Sequence, residues 1–253
     1  MNIQTILNQF HSIVSEINNQ FKRDYTVPLF DPQAIQYLKD SAKNCFQDKQ
    51  QITHCTLSPL TINIPEAPRN CYNPQSTTKI SVTLEVSVTY TKPDRNRIID
   101  PISSLNFVIS LQSAAPRAFQ SWHLDKQGDA HSDDNIHPEY HITLGGTKIK
   151  EYTQIHNGNL GEALYFGTPR YMHPPMDIIL GIDFILNHYV KRAHAQYFLE
   201  NDVYNKLVDQ MKEILWKPYI LALANNFCAH SIQLDNNILD IDETFSKAII
   251  GKR

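Results

Sequence analysis

His123, His131, His137 and His141 crowd the stretch SWHLDKQGDAHSDDNIHPEYHITLGG, residues 121–146, with Asp125, Asp129, Asp133, Asp134 and Glu139 threaded between them. Imidazole and carboxylate together form the ligand set of zinc, iron and manganese, and two histidines with one carboxylate leave coordination positions open for water or substrate. The leading candidate metal ligands are therefore His123, Asp125, His137, His141 and His173, with zinc, iron or manganese as the ion and a hydrolytic or structural role. His131, inside the Asp-, Ser-, Asn- and Gly-rich loop, reads as a bystander. The plain alternative is a solvated sheet face followed by a polar loop.

If AFQSWHLD and HPEYHITL pair as neighbouring antiparallel strands, matching their polar faces allows His123 to stand opposite His141 and Asp125 opposite Glu139. Two carboxylates facing each other are destabilising, so that register calls for a cation or a shared proton. The H-x-D of His123 and Asp125, with His173 as a distant third ligand, resembles the iron oxygenase pattern, which implies an iron centre on those three residues.

Two further arrangements compete. HCTL at 54–57 and HITL at 141–144 resemble the paired motif of two-histidine phosphoesterases. That resemblance implies proton exchange by His54 and His141 around a phosphodiester whose oxygens Thr56 and Thr143 hold, without a metal. In GTPRYMHPPMD, Arg170 and His173 precede an expected helix start at Pro174 and Pro175, where free amides and the helix dipole favour an anion. A surface carboxylate of this same chain would satisfy that position equally. Asp183, alone in ILGIDFIL, is expected to cap or pair where helices pack.

The elements that must position these groups are legible from periodicity. Ile3, Ile6, Leu7, Phe10, Ile13, Val14, Ile17 and Phe21 recur at helical spacing. FDPQAIQYLKD opens a second helix, with Asp31 as cap and Pro32 in the first turn, ending near Gln47. Residues 58–77 read as a connector with at most a short edge strand, separating a helical segment, 1–57, from a sheet and helices over 78–253, the whole forming one compact domain. Ile80, Val82, Leu84, Val86, Val88 and Tyr90 alternate with polar residues, as do Leu105, Phe107, Ile109 and Leu111, and EYHITL and EALYFG continue the pattern. The expectation is an α+β fold: N-terminal helices, an antiparallel meander of four to five strands, and C-terminal helices on the sheet, the last kinked or divided at Pro218.

Composition narrows the classes. The net charge of -3 and the lack of a basic stripe argue against nucleic acid as a partner. DIILGIDFIL is too short and too acidic to span a bilayer. Four cysteines without a CxxC pair suggest reduced thiols and a cytoplasmic protein.

The element order, with TPRYMHPP before a helix, resembles the ubiquitin-conjugating fold. No cysteine lies between Cys71 and Cys228, so the resemblance implies a protein-binding module without a thioester-forming residue. A metal centre, a two-histidine phosphoesterase and a binding module for a protein or a small anionic ligand are the readings left open.

Overall fold

The computed structural model describes residues 2–25, 27–64, 80–94, 96–113, 119–126, 138–145, 148–149, 151, 171–228, 233–234, 237–238 and 240–250. Two helices come first: α1 (Ile3–Asp24), capped by Asn2, and α2 (Pro32–Asn44), capped by Asp31 with Pro32 in its first turn. Buried Asn18 exchanges two hydrogen bonds with the backbone of Phe30, which ties the link between these helices to α1.

A seven-stranded antiparallel sheet follows, in the order β1 (Phe46–Gln47), β2 (Thr53–Ile64), β3 (Ile80–Tyr90), β5 (Ile102–Ser113), β6 (Phe119–Lys126), β7 (Tyr140–Leu144) and β8 (Tyr171–Met172). The α+β class is as the periodicity indicates, but the sheet is wider than four to five strands. Much of the difference comes from β2, twelve residues long, which runs through the start of the expected connector at 58. Its outer edge is met only by the two residues of β1 and a bridge from Phe30 to Ile62 among the described residues. EALYFG lies outside them.

Helices α3 (Ile178–Tyr189), α4 (Arg192–Leu199), α5 (Asp202–Asn225) and α6 (Glu243–Ile249) follow the sheet in the chain. One apolar cluster runs from Ile3 to Ile249, and the inward-facing residues of β3 form its floor. Gly181 sets the approach of α3: a methyl group there would stand 2.7 Å from the Phe107 ring. Between α5 and α6 the chain forms a small hairpin of β9 (Gln233–Leu234) and β10 (Asn237–Ile238). It then adds β11 (Asp240–Ile241) in parallel to β4 (Arg97–Ile98).

Two helix expectations need correction. Pro174 and Pro175 do not open α3; Asp177 caps it, accepting from the Leu180 amide at 2.9 Å. Nor does Pro218 divide the last long helix, which continues through it to Asn225. Proline supplies no amide to the Ile214 carbonyl four residues back, and packing of the flanking turns, with Leu215, Tyr219 and Ala222 buried, sustains the helix across that gap.

Asp177 is wholly buried, and its second oxygen accepts from the Tyr90 hydroxyl at 2.8 Å. Burial pushes its carboxyl up to about 6, against opposing hydrogen bonds from Leu180 and Tyr90. A raised acid stabilises the fold fully below its unfolded value near 4, and that contribution is lost as pH rises through about 6. Two pKa units correspond to about 3 kcal/mol. Asn can cap α3 equally well and does not ionise. Wild-type stability relative to Asp177→Asn should therefore fall by about 3 kcal/mol between pH 4 and 7, read by urea unfolding; parallel profiles would show that the carboxyl is not strained.

Candidate functional site

The histidine-bearing face of the sheet lies opposite the helices. β6 and β7 pair with Asp125 opposite His141 and His123 opposite Thr143, two residues away from the expected register. The anticipated acidic pair of Asp125 and Glu139 therefore does not form, and His123 and His141 are diagonal neighbours. His141 is buried, and its Nδ1 donates to the Pro138 carbonyl at 3.0 Å.

This face is not simply solvated. Ser121, Val108 and Thr143 are buried with His141. Lys148 pairs with Glu85 of that face at 3.2 Å, and its neighbour Ile149 is buried. His123 Nε2 is shielded from solvent and has no hydrogen-bond partner among the described residues.

His173 stands apart from these groups. Met172 faces His141, so strand alternation turns His173 the other way, toward Phe184 of α3. Its Nδ1 donates to the Pro174 carbonyl at 2.7 Å, and burial, foremost, holds its imidazole below the usual range. The α3 N-terminus it was expected to share with an anion already holds this chain's own Asp177. His131, His137 and Arg170 lie outside the described residues. Among the described residues no three His, Cys, Asp or Glu side chains are placed to share a metal ion.

The two His-x-Thr motifs share that face but lie four strand spacings apart, roughly 19 Å along the sheet. One phosphodiester cannot touch both. His54 and Thr56 have local partners instead. His54 Nδ1 is 3.2 Å from Thr89 Oγ1, which accepts from Ser104, and its Nε2 is 3.6 Å from Asp48. Thr56 Oγ1 is 3.5 Å from Ser87 Oγ. Asp48 also accepts from the amides of Gln50 and Ile52, and the Ile52 bond, foremost, holds its carboxyl below the ordinary range. Phe46 stacks on the imidazole at 4.9 Å. The order carboxylate, imidazole, hydroxyl is that of a proton relay, but 3.6 Å is too long for its first hydrogen bond. The contacts strap the β1–β2 turn onto β3. Asp183, in turn, pairs across a helix contact, accepting from the Tyr204 hydroxyl at 3.3 Å.

A disulfide between Cys45 and Cys55 closes the same turn, contrary to the expectation of reduced thiols, while Cys228 is free and exposed.

Among the described residues, concave surface lies away from this face. Two adjoining cavities of about 230 and 420 Å³ share Thr91, Ile99 and Asp100. The smaller has apolar walls that include Ile3, Ile98, Ile214 and Pro218, with Asp94 and Arg97 at hand. The larger is lined by Lys126, Glu139 and Asp242 among others.

An ion network underlies the larger cavity. Lys126 Nζ lies 2.8 Å from Asp100 and 3.8 Å from Glu139, and it donates to the Ile102 carbonyl. The Tyr140 hydroxyl donates to Asp100; burial, foremost, and that carboxylate push it well above its usual value. Beside the network, Tyr219 stands edge-on to Tyr140 at 5.9 Å, its buried hydroxyl unpartnered among the described residues. Arg97 joins Asp242 at 3.3 Å and Asp240 at 3.5 Å, and the Glu139 amide donates to the Ala248 carbonyl. Sequence reasoning missed this constellation because its members come from distant segments; the pointer available was Lys126, charged at the end of an otherwise half-buried strand.

Neither family models, nor curated proteins, nor solved structures match this chain.

The Cys45–Cys55 bond yields a direct check. Peptide mapping under non-reducing conditions should recover the two residues in one linked fragment. Replacing both with Ala should cost about 2 to 4 kcal/mol, as expected for closing a short loop. Quantitative alkylation of both thiols in the folded, unreduced chain would contradict the linkage.

Proposed function

We propose that the chain is a binding module whose ligand seat is the double groove between the β3–β5 corner and the C-terminal helices. The observation that carries this reading is the convergence of distant segments on one concavity. Ile3 of α1, Thr53 of β2, Asp100 before β5 and Ile214 of α5 meet at the smaller cavity. Lys126, Glu139 and Asp242 meet at the larger. A pre-formed cleft with apolar walls and a few fixed polar groups is the usual form of a ligand site.

Lys126, held by Asp100, Glu139 and the Ile102 carbonyl, gives the larger cavity a fixed polar lining. The binding role agrees with what the likeness to the conjugating fold implies. The metal reading ranks below it, since the candidate ligands His123, Asp125 and His141 share a face without His173. The Cys45–Cys55 bond favours an oxidising compartment over the cytoplasm. Among the described residues no helix is long and apolar enough to cross a membrane.

Amide chemical-shift mapping with a set of small apolar fragments tests the seat. Shifts should concentrate on Thr91, Ile99 and Asp100. Ile99→Arg should abolish them while changing stability by less than about 1 kcal/mol, since Ile99 lies outside the buried core. Shifts centred on His123 and His141, unaffected by Ile99→Arg, would move the site to the other sheet face.

A further inference from the structure

Sorting the groove's polar groups by whether the fold already uses them restricts what it can hold. The carboxylates are taken. Asp94 accepts from the amides of Asn96 and Arg97. Asp100 is met by Lys126, the Tyr140 hydroxyl and the Ile102 amide, and Asp242 by Arg97 and the Phe245 amide. Lys126 is held in turn by Asp100 and the Ile102 carbonyl, and the Tyr90 hydroxyl donates to Asp177. A ligand reaches none of these groups without displacing a contact that the fold makes.

The groups left over gather at the smaller cavity. Thr53, Thr91 and Gln51 line it, and their side chains have no hydrogen-bond partner among the described residues. Arg97 lines it too, and its side chain, 42% exposed against 23% for Asp242, carries the charge that an arriving molecule meets. Its contacts, 3.3 Å to Asp242 and 3.5 Å to Asp240, are longer than the about 2.9 Å of a charge-assisted hydrogen bond. Guanidinium N–H groups therefore remain for a ligand oxygen.

The surroundings decide the charge on that oxygen. Asp240 and Asp242 flank Arg97, and Asp94 and Asp100 line the same cavity, so a further anion meets more negative than positive charge. A cation finds the carboxylates occupied and Arg97 repelling it. A neutral carbonyl accepts from the guanidinium at neither cost. Size limits the rest of the molecule: about 230 Å³ is below the ~300 Å³ at which sites for drug-sized molecules begin. The larger cavity, through which an extended peptide would continue, offers little more. Ser103 there already donates to the Thr89 carbonyl, and Thr244 is what it adds beyond the shared Thr91.

We infer that the smaller cavity takes a small uncharged molecule with a compact apolar body and a carbonyl oxygen, the body against Ile98, Ile214 and Pro218 and the oxygen on the Arg97 guanidinium. This inference rests on the groove being the ligand seat and adds the ligand's chemistry.

The test uses the full chain at pH 7 and probes of one shape that differ in charge: benzamide, benzoate and benzamidinium, titrated by amide chemical shift. Benzamide should bind best, with each charged analogue weaker by about tenfold. Its affinity should change less than about twofold between about 50 and 300 mM salt, and the Arg97 Nε–H resonance should move on binding. Arg97→Met should weaken benzamide about five- to tenfold, and Thr91→Val, which keeps the side chain's shape, about two- to fivefold. Neither variant should alter binding of fluorobenzene, which fills the apolar part without a carbonyl.

Tighter binding of benzoate, lost in Arg97→Met, would overturn the uncharged ligand in favour of an anion, and tighter binding of benzamidinium would overturn it in favour of a cation. Equal binding of all the probes, lost in Ile99→Arg alone, would overturn the carbonyl contact and leave the groove as the seat. Failure of benzamide where fluorobenzene binds would do the same. Failure of every probe, with fragment shifts that ignore Ile99→Arg, would overturn both readings.

Discussion

A lysine ammonium withdrawn from water at the end of a β-strand must be compensated, and Lys126 is the point on which this end of the molecule turns. Its side chain keeps only 12% of its exposure. An unpaired charge so placed would cost several kcal/mol. Compensation comes from three directions: Asp100 ahead of β5, the Ile102 carbonyl within it, and Glu139 ahead of β7. The Tyr140 hydroxyl occupies the other oxygen of Asp100. One cation thereby fixes the geometry where three strands begin or end. Such networks bring little net stability over an apolar replacement, but they permit few alternative arrangements.

The chain's C-terminal part completes what that network begins. The β4–β11 pairing and the contacts of Arg97 with Asp240 and Asp242 bring α6 alongside, and the Glu139 amide meets the last turn of that helix at the Ala248 carbonyl. The groove therefore draws its walls from distant segments, Ile3 of α1 on one side and Ile214 with Pro218 of α5 on another. Rigid elements around an open concavity are what a recognition site requires, because little ordering is left to be done on binding.

Residues whose contacts are local or periodic were legible in the sequence. The helical spacing of α1, the Asp31 cap and the strict alternation of β3 each follow from one segment's own pattern. What failed were features that depend on a partner segment. Parity assigned His123, Asp125, His141 and Thr143 correctly to one face, yet it cannot distinguish registers two residues apart, and the thirteen residues of sequence between β6 and β7 are too many for a two-residue turn to fix one. The burial of His141 and Thr143 was invisible because alternation assigns a face without showing what packs on it; Lys148, for one, reaches Glu85 from outside the strands. Lys126, Asp100 and Glu139 form no motif, and Cys45 and Cys55 match no disulfide signature. Pro218 breaks helices in isolation but is tolerated here within a packed one.

Lys126 and Asp100 act as a coupled pair holding the groove's corner, and a double-mutant cycle measures that coupling directly. Lys126→Met, Asp100→Asn and the double variant would be compared with the wild type by urea unfolding. The account predicts that the double variant is less destabilised than the sum of the singles, with a coupling of about 1 to 3 kcal/mol, as for side chains sharing one network. Additive effects, with coupling below about 0.5 kcal/mol, would contradict it.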